Sequence, residues 1–216
     1  MSALFEKALG LSEPWYIEDV TFNSDENRLD IRVNFRRGSR FPSEEGGDPC
    51  PVYDTDMRTW RHLNFFQHEC HLTVRVPRVR TAAGGLRLCP PPFVGVMHGF
   101  TLLFEAFLVE LCRHMPVHTV AQMVGVSSGK LWRMLDIYVD NARDEEDYQD
   151  LKEVGMDETS VAKGHDYITL FVDMQERRTL HVAEGKGSET VKDFSEYLGT
   201  HNGNPEAIEQ VIPAAL

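Results

Sequence analysis

Apolar positions recur along the chain with two different periods, and the change from one to the other divides it. Ala3 to Leu9 reads as a short amphipathic helix ended by Gly10. Trp15, Ile17, Val20 and Phe22, then Leu29, Ile31, Val33 and Phe35, alternate on either side of the polar stretch Asn23 to Asn27. That alternation predicts a β-hairpin with one buried face. Arg36 to Asp48 is rich in Gly, Pro and Glu and reads as a loop. Trp60, Leu63, Phe65, Phe66, Leu72, Val74 and Val76 carry the apolar pattern onward, and Pro90-Pro91-Pro92 reads as a stiff extended linker. Beyond the prolines the period lengthens. Phe100, Leu103, Phe104, Phe107, Leu108 and Leu111 have helical spacing within Phe100 to Met115, which predicts a helix with this stripe in a core.

Pro116 is placed to open a second helix at its first position, with Val117, Val120, Ala121 and Val124 facing inward. Gly125 and Val126 make a turn, and Ser127 or Ser128 caps a third helix on which Leu131, Leu135 and Tyr138 pack. Two helices joined by a short Gly-containing turn form a helix-turn-helix, whose second helix enters the major groove by its N-terminal residues. Ser127, Ser128, Lys130 and Arg133 are thereby nominated as DNA-binding residues, the last two for phosphate or guanine contacts. Asp140 to Lys152 is acidic and reads as a solvated connecting helix. The period then returns to two. Tyr167 to Asp173 and Arg178 to Glu184 predict adjacent antiparallel strands with Met174 to Arg177 as the hairpin loop. Asp157 follows the apolar lead-in of Val154 and Met156 and precedes a loop at Lys163-Gly164-His165. A carboxylate so presented can hold a divalent metal, and a turn or capping role is the alternative.

Charge sharpens this division. The chain of 216 residues carries a net charge of −12, the wrong sign for a simple nucleic-acid binder. The distribution is uneven, however: Met57 to Phe93 holds six arginines against Glu69 alone, while Asp140 to Glu158 holds nine acids against Arg143 and Lys152. Arg75, Arg78 and Arg80 recur along one extended segment, with Arg78 and Arg80 on one strand face, an arrangement that tracks phosphates or protects a strand edge. No apolar run approaches the roughly 18 residues of a membrane span. MSALFEKALGL lacks the basic start and long apolar core of a signal peptide, so a cytoplasmic location is expected. Cys50, Cys70, Cys89 and Cys112 are too irregularly spaced for a disulfide framework.

The string GMDETSVAKGHDYITLFVDMQERRTL resembles the start of the catalytic core in transposases of the bacterial insertion sequence L three family. The resemblance extends to the helix-turn-helix pattern and to CPVYDTDMRTWRHLNFFQHECHLTVRVPRVR, which is similar to a small zinc-binding module. It implies a ribonuclease H-like core with an Asp-Asp-Glu site for Mg²⁺, in which Asp157 is the first catalytic carboxylate. Cys50 would open the zinc module. Tyr53 stands at its expected partner position and Thr81 to Gly84 at the second pair, so a metal-free, degenerate ribbon is favoured over Zn²⁺. His62, His68, Cys70, His71 and Cys89 are candidate substitutes that the sequence does not pair. The second Asp is expected where the chain reads VIPAAL, so the core reads as truncated or frameshifted, and neither Glu158 nor Asp173 substitutes for it on geometry.

The expected fold class is α+β and multidomain. Residues 1–49 form an N-terminal β-hairpin region, 50–93 a degenerate zinc-ribbon-like module and 94–142 a helical helix-turn-helix domain. Residues 143–153 form an acidic connector, and 154–216 an incomplete ribonuclease H-like core. The implied function is binding of double-stranded DNA at terminal inverted repeats in DNA transposition, with an incomplete catalytic site. The alternatives are a stand-alone regulator of transposition or half of an enzyme completed by a frameshift or second chain. A homo-oligomer is compatible with either.

Overall fold

The computed structural model describes residues 2–43, 47–97, 99–160 and 166–213. Lys163-Gly164-His165 and the last three residues lie outside them. The chain divides into two compact units, Met1–Tyr138 and Val139–Leu216.

The first unit opens with helix α1 (Ser2–Ala8) and the antiparallel pair β1 (Trp15–Asn23) and β2 (Arg28–Phe35). The register slips between Ile17 and Asp19. This bulge accommodates the three-residue step from Ile17 to Val20 that interrupts strict alternation. Two short strands, β3 (Arg40–Pro42) and β4 (Pro49–Pro51), pair within the expected loop. Next comes the long hairpin of β5 (Asp54–Phe65) and β6 (His68–Arg80), with β7 (Leu86–Leu88) added to β6. β6 also pairs in parallel with β2, setting Ile31 beside Leu72 and Val33 beside Val74. The strands on either side of residue 49 therefore share one sheet, ordered β1-β2-β6-β5, and one core. Trp15, Leu29, Ile31, Trp60, Leu72, Val74 and Val76 fill that core, and Cys89 and Phe93 join it, so the proline stretch between them packs down instead of acting as a spacer. Phe65 and Phe66 are exposed at the hairpin tip and do not join it.

Three helices complete this unit: α2 (Leu102–His114), α3 (Val117–Val124) and α4 (Ser128–Asp144), the last running past the division at residue 138. Thr101 caps α2, its Oγ1 accepting from the Phe104 amide. Phe104 and Leu108 are buried, Leu111 half-buried, and Phe100 packs with them from just before the helix. The expected stripe is narrower than its sequence suggested, since Leu103 and Phe107 are 51% and 43% exposed. Val120, Ala121, Leu131 and Met134 close the same core.

The second unit is a four-stranded sheet of order β10-β9-β8-β11. β8 (Glu153–Ser160), β9 (Tyr167–Asp173) and β10 (Arg178–Glu184) are antiparallel neighbours. α5 (Ser188–Thr200) follows, stacking Phe194 on Phe171 at 4.1 Å, and β11 (Gln210–Pro213) returns parallel to β8. The acidic connector is not the solvated helix expected. α4 ends at Asp144, and Tyr148, 2% exposed, enters the core of this unit with Leu151. The Tyr148 hydroxyl donates to Glu146, and Arg178 lies over its ring.

Candidate functional site

The helix-turn-helix is set by backbone chemistry at its turn. Gly125 takes φ 69° and ψ 31°, the left-handed conformation that ends α3, and its amide donates to the Ala121 carbonyl. Lys130 and Leu131 amides then donate to the Ser127 carbonyl, which starts α4. Buried Leu131 and Met134 fix the phase of α4. Ser127, Gly129, Trp132, Arg133 and Asp136 consequently lie on its exposed side. Ser128 is half-buried, its hydroxyl 3.4 Å from His118 Nδ1.

Of the two cations nominated, only Arg133 projects freely. The Lys130 ammonium lies 3.9 Å from the centre of the Phe100 ring, and burial lowers its pKa. Trp132, 55% exposed beside Arg133, is a surface residue that periodicity could have flagged: it falls one step off the Leu131 to Met134 stripe.

A buried carboxylate holds this helical assembly together. Glu105, inside the apolar stripe of α2, accepts from the amides of Val96 (2.9 Å) and Met97 (2.8 Å) and from the Tyr138 hydroxyl of α4 (2.8 Å). A Cβ at Gly95 would come within 2.2 Å of its carboxyl carbon. Burial, with the bond to Glu105, raises the Tyr138 pKa to about 12. A single acid in an apolar stripe gave no sign of this role.

The arginines of β6 are engaged. Arg78 pairs with Asp54, its Nε at 2.6 Å from Oδ1. Arg80 lies over Tyr53, and Arg75 donates to Thr55. Strand alternation sets Arg75 on the face opposite Arg78 and Arg80. The zinc candidates do not converge: among the described residues no three His, Cys, Asp or Glu side chains are grouped to hold a metal. His62 and Cys70 face each other across β5 and β6. Burial, reinforced by Arg61, lowers the His62 pKa to about 4, and burial pushes the Cys70 thiol up to about 12. Cys50 Sγ lies 3.5 Å from the Asp48 carbonyl and Cys89 Sγ 3.5 Å from that of Pro42.

In the second unit Asp157 lies inside β8, paired with Leu170. It is half-buried, and its Oδ1 accepts from the Glu158 amide at 2.9 Å. Glu158 pairs with Thr169 and by alternation faces the other way. Asp173 is a turn residue, its Oδ1 accepting from Gln175 and Glu176 amides, with Arg178 3.5 Å away. One carboxylate does not by itself fit a pair of Mg²⁺ ions, and among the described residues no group of three His, Cys, Asp or Glu side chains around Asp157 is placed to hold a metal. The parallel strand β11 runs alongside, setting Pro213 beside Met156, one step short of Asp157.

Comparison with known proteins assigns these two regions. Residues 90–139 match the profile described as the helix-turn-helix domain of transposase family ISL3, and residues 154–213 match the transposase profile of the same family. The chain belongs to transposase family ISL3. It is similar to the transposase for insertion sequence element IS1557 of Mycobacterium tuberculosis, with 26% identity over 209 residues, covering 91% of this chain and 46% of that protein. It is also similar to the transposase for insertion sequence element IS1001 of Bordetella parapertussis, with 29% identity over 164 residues, covering 72% and 39%. The ISL3 chain thus spans less than half the length of these curated relatives. No solved structure matches it. The ISL3 helix-turn-helix match covers α2, α3 and α4 as far as residue 139, and the transposase match runs from residue 154 in β8 to the end of β11. No helix among the described residues is long and apolar enough to cross a membrane.

Proposed function

We propose that this chain is the DNA-recognition portion of an insertion-sequence transposase, binding double-stranded DNA at the terminal inverted repeats through α4. The observation that carries this reading is the exposed N-terminal side of α4, where Ser127, Gly129, Trp132 and Arg133 follow a Gly125 turn of helix-turn-helix geometry. Arg133 is the principal phosphate or guanine contact. Lys130, held over Phe100, chiefly braces the helix. Arg75, Arg78 and Arg80 are secondary, because neighbouring residues engage all three: Thr55 for Arg75, Asp54 for Arg78 and the Tyr53 ring for Arg80.

The second unit is read as the opening of a ribonuclease H-like core. Three antiparallel strands, a helix and a fourth strand parallel to the first support this, with Asp157 on the central strand β8. The family resemblance gives the second Asp where the sequence reads VIPAAL, and that stretch holds no acid. On this reading the chain binds DNA without completing a Mg²⁺ site of its own, in the cytoplasm and alone or as a homo-oligomer. Mg²⁺ would supply Lewis-acid activation once further carboxylates join Asp157.

Binding of a duplex carrying the element's terminal repeat, followed by fluorescence anisotropy over a salt series, tests this. Arg133→Ala is expected to weaken binding and reduce the salt slope by about one charge, while Lys130→Ala changes the slope less. Binding is expected to be the same in EDTA and in Mg²⁺. An unchanged slope for Arg133→Ala would overturn the assignment of α4.

A further inference from the structure

The tip of the β5–β6 hairpin carries a feature that the helix-turn-helix does not account for. The hairpin closes with two residues, Phe66 and Gln67, between the paired Phe65 and His68. Phe66 opens this turn at φ 54°, a left-handed conformation that a two-residue hairpin ordinarily assigns to Gly, Asn or Asp. It is also 85% exposed. An aromatic ring at this position opposes both backbone preference and burial, so folding does not explain it.

The ring is braced. Phe66 meets Phe65 edge-on at 4.8 Å, and Phe65 packs on Phe5 of α1 at 5.5 Å. Asn64, at the base of the tip, accepts from the buried Arg61 guanidinium. The tip is also tied to the helix-turn-helix within the same unit. Arg61 donates its amide to the Gly99 carbonyl and bridges to Phe100, the ring under Lys130. Glu69, one residue past the tip, comes so close to the α3–α4 turn that a Cβ at Gly125 would lie 3.2 Å from its Oε1.

We infer that the β5–β6 tip is a wing that contacts DNA next to the site read by α4, with Phe66 stacking against or wedging between base pairs of the flanking groove. The inference rests on α4 reading DNA, and it extends that footprint. Apolar wedges carried on strands or arms are a known means of entering the minor groove and unstacking a base step. A single projecting ring flanked by Asn64 and Gln67 suits a groove better than the broad flat surface of a stable protein dimer, roughly 800 Å² per partner. Asp25 and Glu26 in the neighbouring β1–β2 turn disfavour a path along the phosphates, so the contact is one of rings and amides with little charge. It therefore adds affinity without adding to the salt slope.

The test uses the full chain on duplexes carrying the terminal repeat and its flank, with 2-aminopurine at successive flank positions and hydroxyl-radical footprinting in parallel. Phe66→Gly removes the ring and relieves the turn, so the fold is kept. It is expected to lose flank protection and the 2-aminopurine signal and to weaken binding about tenfold, with an unchanged salt slope. Phe66→Trp is expected to keep all three. An identical footprint for Phe66→Gly and the parent overturns the wing, whatever Arg133→Ala does. If Arg133→Ala leaves binding and slope unchanged, the reading of α4 fails and the wing falls with it. A dimer in sedimentation that Phe66→Gly converts to monomer, with the footprint unaltered, makes the tip a contact between copies and also overturns the proposal.

Discussion

Two carboxylates show how differently the two units are built. Glu105 is fully buried and accepts three hydrogen bonds that join the loop before α2, α2 itself and α4. Asp157 is half-buried in the middle of β8 and, among the described residues, accepts one bond, from the adjacent amide. A carboxylate whose acceptor capacity is taken up inside the fold acts as a strut, and one left with open lone pairs can take a ligand. The contrast predicts opposite responses to mutation. Glu105→Ala orphans two amides and a hydroxyl and is expected to cost about 3 kcal/mol of first-unit stability. Asp157→Asn is expected to stay within about 0.5 kcal/mol. Urea denaturation of the two variants decides this, and equal losses would erase the distinction.

A smaller effect separates buried from exposed groups in the first unit by pH. His62 is held neutral by burial and by Arg61, with its Nδ1 2.8 Å from Thr101 Oγ1. Its folded pKa lies below the ordinary value, so its contribution is complete above about 6.5 and is lost as pH falls toward about 4. His62→Gln is expected to flatten that acid limb in thermal melts between these values, leaving the neutral range little changed.

The sequence made the repetitive parts of this fold legible and hid those that depend on a single partner. Alternation located β1, β2, β9 and β10, and helical spacing with Pro116 and Gly125 located α2 to α4. Phase was harder. Phe100 precedes α2, so a stripe drawn through it gave Leu103 and Phe107 inward positions they do not hold. Tyr148 was hidden among acids, although an aromatic inside a polar run has reason to find a core. The parallel pairing of β2 with β6 leaves no local trace, since both strands read equally well as separate hairpins. For the site, turn chemistry and capping marked α4, but the packing of Lys130 on Phe100 and the exposure of Trp132 needed the third dimension. Asp157 stood out through its resemblance to a family, and its own neighbours in the chain gave only the possibility of a turn.

The β2–β6 pairing also governs when this protein can fold during its synthesis. Ile31 rests beside Leu72, and Val33 beside Val74. The first hairpin therefore leaves the ribosome with one edge unsatisfied and waits some forty residues for its neighbour, a long-range contact whose loop-closure entropy must be met before it stabilises anything. Until β6 emerges, that edge is open to other extended chains. A pause or a break in translation before residue 80 would release an incomplete sheet with that edge uncovered.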